Sequence, residues 1–201
     1  MPGCGFYGKL PSEGDFVTRR LPWEFTSAWD DWLQQGMHAS RTALGAGWLD
    51  LYLSAPIWRF QVAPGVCGPL GWRGLFFASV DCVGRYFPLT LAFVDASAPS
   101  AASLSADVDA WTALEDAALA GLAPTLSIAD FDRLTEGLRL PAAAAPDPAR
   151  PRVCLYTAGT EDAPPRGMAF AELLPPALFV DLISPDAGAG PATSTSLIDL
   201  L

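Results

Sequence analysis

An amphipathic helix beginning after Pro22 is the clearest local feature of the hydrophobic pattern. Apolar residues recur there at i, i+3, i+4, i+7 and i+8, namely Phe25, Ala28, Trp29, Trp32 and Leu33. This spacing places them on one helical face, with polar residues on the other. Proline is well tolerated at a helix start, because the first amides have no intrahelical partner. We therefore predict a helix packed through an aromatic stripe, with Gly36 as a candidate end or bend.

Alternating side chains predict strands in the first half of the chain. Residues 3–10 form a short strand that runs into a loop at 11–15. Over residues 57–62, the side chains of Trp58, Phe60 and Val62 alternate with those of Arg59 and Gln61. Successive side chains of a strand point to opposite faces, so the apolar set is predicted to face a core.

Two further strands, over residues 75–80 and 85–94, are separated by the short segment 81–84. A short connection ending in glycine is typical of an antiparallel hairpin. The second strand places four apolar residues on one predicted face: Phe87, Leu89, Leu91 and Phe93. Pro88 has no amide to donate to a sheet, which favours an edge strand or a bulge at that position.

The second half of the chain predicts two helices and a short return to strand. The first helix covers about residues 104–122, and the second begins after Ser127, whose spacing to Asp130 resembles a capping arrangement. Residues 152–156 form a strand. A last helical turn is predicted at 169–174.

The chain of 201 residues fits one globular domain, which we assign to residues 1–183. An Ala/Pro-rich linker is predicted near 141–151, and the small, polar segment 184–201 is predicted to be a flexible C-terminal tail. The order of the elements predicts an α+β fold in which helices pack on a largely antiparallel sheet.

The charge of the chain changes which partners are expected. Apolar residues make up 51% of the sequence, and the formal net charge is −10. Residues 96–201 hold five Lys and Arg against fourteen Asp and Glu. Such a chain repels phosphate backbones and anionic headgroups, so we expect no nucleic acid partner and no membrane insertion. The N-terminus lacks the charged and apolar regions of a signal peptide, which indicates a cytoplasmic protein.

The residues of common catalytic and metal sites are sparse. The four cysteines form no C-x-x-C pair, and His38 is the only histidine, so we expect no metal site and no cofactor. The G-x-S-x-G nucleophile motif is absent. We therefore expect that the protein is not an enzyme.

Gly8 and Lys9 invite comparison with the phosphate-binding motif G-x-x-x-x-G-K-[ST]. Here Leu10 and Pro11 follow the lysine, and proline removes an amide that a phosphate cradle would need. A small-ligand-sensing or nucleotide-binding module remains the alternative function, with residues 8–15 and 65–74 framing a pocket. An enzyme of unfamiliar type is a further alternative.

Three motifs carry a resemblance to the TagF proteins of bacterial type VI secretion. Residues 5–17 match G-x-x-G-K-L-P-x-x-G-D-F-V, residues 54–60 are similar to S-P-x-W-R-F, and residues 79–90 match S-V-D-x-V-G-R-Y-F-P-L-T. The resemblance covers residues 3–95 and implies a layered fold similar to longin-type domains, with helices on both faces of the sheet. It also implies post-translational repression of type VI secretion by binding to a forkhead-associated scaffold protein, without chemistry on that partner.

The motif residues that could contact a partner or support the fold are Lys9, Pro11, Asp15, Phe16, Trp58, Arg59, Asp81, Arg85 and Tyr86. As partner contacts, arginine and aromatic side chains would anchor an interface. As structural residues, the charged members would form partly buried ion pairs that hold loops to the sheet. We favour the structural interpretation for Asp15, Arg59, Asp81 and Arg85, because charges beside turns often support the turn.

Overall fold

The computed structural model describes residues 3–95, 97, 99–141, 151–159 and 164–184. Seven strands form one sheet: β1 (Gly5–Gly8), β2 (Val17–Arg19), β3 (Trp58–Val62), β4 (Trp72–Phe77), β5 (Leu89–Val94), β6 (Val153–Thr157) and β7 (Arg166–Phe170). Their order is β2-β1-β5-β4-β3-β6-β7, and every neighbouring pair is antiparallel. The predicted α+β fold with a largely antiparallel sheet is confirmed.

Six α-helices accompany the sheet in the described part of the chain: α1 (Trp23–Leu44), α2 (Trp48–Leu53), α3 (Ala101–Ser105), α4 (Val108–Ala120), α5 (Ile128–Glu136) and α6 (Val180–Ile183). Short 3₁₀ turns at Gly45–Gly47 and Pro176–Leu178 precede α2 and α6. None of these described helices combines the length and apolar character needed to cross a membrane.

The sheet buries both of its faces. On β3, Trp58, Phe60 and Val62 join a core that includes residues of α1, α2 and α6. Arg59 and Gln61 point to the other side, where α3, α4 and α5 pack. The strand alternation therefore separates an α1 face from an α4 face, and helices lie on both faces as expected.

Helix α1 begins after Pro22 as predicted, but it does not end at Gly36. The helix continues for two more turns to Leu44. Gly36 lies under the ring of Phe179, and a Cβ placed there would lie 2.2 Å from a ring carbon of Phe179. The glycine therefore provides room for an aromatic ring against the helix, and its role is not to terminate the helix.

The β4–β5 hairpin is confirmed, and Gly84 at its turn has a positive φ of 85°. The edge-strand prediction at Pro88 is wrong, because β5 lies between β1 and β4. No bulge is present either, because the pairing keeps its register from Phe77↔Leu89 to Val80↔Tyr86. Instead, the ladder is interrupted beside Pro88, and Phe87 packs on the α1 face while Leu89 packs on the α4 face.

Several elements differ from the predictions. The single helix predicted over 104–122 is divided into α3 and α4 by Asp107, which has a positive φ of 52°. The helical turn predicted at 169–174 is wrong, because residues 169 and 170 belong to β7, where Phe170 pairs with Val153 of β6, and residues 171–174 are not helical. Helix α5 starts as predicted, with Ser127 Oγ accepting from the Asp130 amide at 3.2 Å. Most of the predicted linker (142–150) and nearly all of the predicted tail (185–201) lie outside the described residues.

Candidate functional site

The loop at residues 9–16 and the turn at 81–85 meet at one edge of the sheet. Strands β1 and β4 are both antiparallel to β5, so their carboxyl ends lie at the same edge. The Cys82 amide donates to the Glu13 carbonyl at 3.0 Å, and Ser79 Oγ donates to the Lys9 carbonyl at 2.8 Å. The topology thus brings together two of the three sequence motifs.

The centre of this site is a buried carboxylate on Asp81. Its Oδ2 lies 2.8 Å from Lys9 Nζ and 2.7 Å from Arg85 Nε. Its Oδ1 accepts from the amides of Val83, at 3.0 Å, and Arg85, at 2.9 Å. The Asp81 side chain has no exposed surface and that of Lys9 is only 4% exposed. Both carboxylate oxygens therefore accept hydrogen bonds that hold the loop and the turn in place.

The electrostatics of Asp81 follow from these contacts. Burial alone would raise its pKa, but the hydrogen bonds from Lys9, Arg85 and the Val83 amide outweigh burial and hold the pKa well below its usual range. Asp81 is therefore an ionised structural anchor whose oxygens already accept hydrogen bonds. A general base would need a free acceptor within reach of a substrate proton.

Phe16 and Val83 are the large apolar side chains that these two segments expose to solvent. Phe16 is 47% exposed and Val83 is 66% exposed. The Phe16 ring stacks on Tyr7 at 5.7 Å between centroids and packs edge-on against Phe87 at 4.8 Å. The Lys9 ammonium lies 4.4 Å from its centroid.

Asp15 and Arg85 are exposed beside these apolar side chains. Asp15 extends fully into solvent, and its Oδ1 lies 3.8 Å from Arg85 Nη2. Arg85 also donates to the Gly14 carbonyl. We call Asp15, Phe16, Val83 and Arg85 together the Phe16 surface. Pro11 supports the loop from inside a turn in which the Glu13 amide donates to the Leu10 carbonyl at 3.0 Å.

Arg59 and Trp58 belong to the interior of the sheet and are not part of the Phe16 surface. Arg59 Nε lies 2.7 Å from Glu115 Oε1, and Arg59 Nη1 donates to the Leu104 carbonyl at 2.9 Å. On the opposite face, Trp58 Nε1 donates to the Leu182 carbonyl at 2.9 Å. These neighbouring residues therefore tie the sheet to α4 and to α6.

Tyr86 connects the turn to α2. Its half-buried ring packs edge-on against Trp48 at 6.4 Å and Tyr52 at 6.0 Å, and Tyr52 Oη donates to the Ser79 carbonyl at 3.0 Å. Sequence reasoning did not single out Val83. An apolar residue at a turn tip, within a motif, was the signal that could have identified it.

The pocket that the ligand-sensing alternative required is not formed by the predicted loops. Residues 63–71 connect the carboxyl end of β3 to the amino end of β4, so they lie at the sheet edge opposite the loop at 9–16. A small crevice does lie elsewhere, between Tyr52, Trp58 and Phe179 among others, and holds about 20 Å³. That volume suits one or two water molecules. The prediction of a pocket framed by both loops is wrong.

Burial also determines the state of two cysteines. It raises the pKa of the Cys4 and Cys67 thiols to about 12, so both are protonated at neutral pH. Among the described residues, no three or more His, Cys, Asp or Glu side chains are grouped so that they could hold a metal ion.

Comparison with known proteins identifies the class first. Residues 5–138 match the sequence profile of a family described as TagF N-terminal domain, Type VI secretion system-associated. This match spans more than half of the chain, and it includes both segments that form the Phe16 surface. The chain therefore belongs to the TagF family of type VI secretion-associated proteins.

A solved structure agrees with this assignment along nearly the whole chain. The crystal structure of PA0076 from Pseudomonas aeruginosa PAO1 is 32% identical in sequence and superposes with a TM-score of 0.81. The similarity covers 94% of this chain and 97% of that one. A search of curated proteins by sequence gave no match.

Proposed function

We propose that this protein is a non-catalytic, post-translational negative regulator of the bacterial type VI secretion system. It acts in the cytoplasm by binding a forkhead-associated scaffold protein in a stoichiometric complex. Membership of the TagF family supports the connection to type VI secretion. The regulatory mechanism rests on the family resemblance together with the geometry of the motifs.

A binding role is supported by the pairing of the charged motif residues, which already form their contacts within the protein. Asp81 accepts four hydrogen bonds within the protein, and Arg59 is held between Glu115 and Leu104. What the loop and the turn offer to another molecule is a surface with exposed aromatic, aliphatic and charged side chains. Such a surface is suited to contact another protein, since aromatic and arginine side chains often dominate interface energetics.

Titration of the purified scaffold with the purified chain tests the proposal directly. Calorimetry should show saturable binding near one to one. The intact mass of the scaffold should be the same before and after incubation, because a binding repressor leaves its partner unmodified. In cells, secretion of a type VI substrate should fall as the ratio of this chain to scaffold rises.

The alternatives give different results in the same experiments. A change in scaffold mass, or repression at a small fraction of the scaffold concentration, would show catalysis. Absence of binding, together with a ligand-dependent rise in melting temperature, would favour the small-ligand module.

A further inference from the structure

We propose that the Phe16 surface is the partner-binding site of this protein, and that it fits a basic protein surface with an apolar recess for Phe16 and Val83. This inference rests on the proposed function, because it assigns the surface through which the regulator binds. The expected partner is a protein whose binding surface has Lys and Arg side chains around an apolar centre.

Two exposed apolar side chains lie on segments of the chain that are hydrogen-bonded to each other. Phe16 and Val83 lie on segments joined by the hydrogen bond from the Cys82 amide to the Glu13 carbonyl. Both segments are further joined through Asp81, which binds Lys9 below the Phe16 ring and the Val83 amide in the turn. Two exposed apolar residues, distant in sequence, are thus presented from one connected structure.

The rigidity of the surface favours binding. The Phe16 ring is held by Tyr7, Phe87 and the Lys9 ammonium, so it is ordered before a partner arrives. The Asp81 carboxylate likewise fixes the turn that carries Val83. Side chains that are already ordered lose less conformational entropy on association, which increases affinity.

The charge around Phe16 identifies the chemistry of the partner. Glu13 and Asp15 lie on the same loop. Asp30 Oδ1 accepts from Tyr7 Oη at 2.5 Å, at the edge of the ring on which Phe16 stacks, and Asp31 follows on α1. The nearby cations, Lys9 and Arg85, are both paired with Asp81. The carboxylates of Glu13, Asp15, Asp30, Asp31 and Asp81 therefore outnumber these two cations around the ring, and a basic partner surface complements the negative charge.

Binding of the purified scaffold to matched variants tests this surface. Phe16→Ala and Val83→Ser should each weaken binding by about tenfold or more, since both remove apolar contact at the proposed centre without adding charge. Leu119→Ala is the matched control, because Leu119 on α4 is 47% exposed, like Phe16, and it should change affinity by less than about twofold. Thermal unfolding of each variant separates loss of contact from loss of fold, and Val83→Ser alters a side chain that is mostly in solvent.

Charge variants test the basic character of the partner. Asp15→Lys should weaken binding by about tenfold, whereas Asp109→Lys, at an exposed position of α4, should have an effect of less than about threefold. If wild-type chain binds the scaffold and all variants bind equally, the surface assignment is wrong although the proposed function stands. Tighter binding by Asp15→Lys would overturn the basic partner.

A photo-crosslinking residue at position 16, compared with one at 119, distinguishes failure of the surface from failure of the function. In cells that carry the secretion system, position 16 should crosslink to the scaffold and position 119 should not. If wild-type chain does not bind the scaffold, the proposed partner is wrong. The surface then stands only if position 16 crosslinks another protein whose binding is lost in Phe16→Ala. Crosslinking at 119 alone, no crosslinking at either position, or crosslinking at 16 to a second copy of this chain would overturn the inference.

Discussion

The side chain of Asp81 joins segments that are far apart in sequence. It binds Lys9, 72 positions earlier, and it also accepts the amides of its own turn. A buried charge is tolerated when its hydrogen-bonding capacity is satisfied, and removing one member of a buried pair is costly. The order of the loop and that of the turn are therefore coupled through this residue.

Replacing Lys9 with methionine tests that coupling. Lys9→Met keeps much of the side-chain volume but leaves Asp81 without the ammonium, so we expect the melting temperature to fall by about 10 °C. Arg133→Ala is the control, because it breaks the exposed pair with Asp130 and should shift the melting temperature by no more than about 2 °C. Calorimetric melting of the three proteins provides the measurement, and equal shifts for both variants would contradict the coupling.

The stability of the protein should depend on pH through the ionisation of Asp81. Because its pKa is lowered in the folded protein, the unfolded chain takes up the proton first as the pH falls. The stabilisation by the ionised group is complete above the unfolded pKa of about 4 and is lost below it. Urea denaturation from pH 6 to pH 3 should show a difference in unfolding free energy between wild type and Asp81→Asn that shrinks on acidification. A difference that stays constant with pH would refute this assignment.

Asp181 should show the opposite dependence. Burial raises the pKa of its carboxyl and outweighs the nearby charge of Arg166. A group with a raised folded pKa favours the native state at low pH and opposes it once the unfolded carboxyl is ionised. Asp181→Asn should therefore increase the unfolding free energy at pH 7 relative to wild type, with a smaller gain at pH 4. Urea denaturation at these two pH values measures the difference, and a gain that is larger at pH 4 would be inconsistent with it.

At the scale of elements, local hydrophobic periodicity predicted those helices and strands that are long enough to show a clear pattern. The aromatic stripe of α1, the alternation of β3, the β4–β5 hairpin and the capped start of α5 follow from neighbouring residues. Strand β2 has three residues and α2 has six, too few for a period to stand out. Strand β7 contains Gly167 and forms by pairing with β6, a partner that its own residues do not specify.

The candidate site was predictable in its residues but not in its arrangement. The motifs indicated Lys9, Phe16, Asp81 and Arg85 from the family resemblance. These residues lie close together because β1 and β4 run in the same direction on either side of β5. Local periodicity in the sequence does not encode such long-range strand pairing. Trp58 lies in a motif as well, but packing places it in the interior.

For Gly36 of α1, we predict the opposite of the effect that helix propensity alone would give for a change to alanine. In an exposed helix interior, Gly→Ala is favourable by about 1 kcal/mol. Here the added Cβ would meet the Phe179 ring, so Gly36→Ala should destabilise the protein by about 1–3 kcal/mol. Gly47→Ala is the control, because nothing lies within 4 Å of the added atom and the φ of −79° suits alanine. Chemical denaturation that finds Gly36→Ala as stable as Gly47→Ala would show that Phe179 does not need the space.

At the scale of the whole molecule, the two faces of the sheet form the core, whereas one edge of the sheet carries the exposed Phe16 surface. The apolar face of β3 packs under α1, and Arg59 on the opposite face is tied to α4. One edge of this sandwich carries the Phe16 surface, where the loop and the turn are bound to each other and to the strands behind them. The two-sided core therefore acts as a rigid base for a small exposed surface, and the net charge of −10 adds a long-range field to it.

That field predicts how the proposed complex with the scaffold responds to salt. A negative chain attracts a basic partner before contact, and screening shortens the range of this attraction to about 10 Å at 0.1 M salt. Raising the salt from about 0.05 to 0.5 M should therefore slow association by about tenfold, with a smaller change in the dissociation rate. Surface plasmon resonance at several salt concentrations measures both rates. Phe16→Ala should instead increase the dissociation rate at every salt concentration, because it removes contact without changing charge. Association that is independent of salt would contradict the electrostatic contribution, even if the apolar contact at Phe16 proved correct.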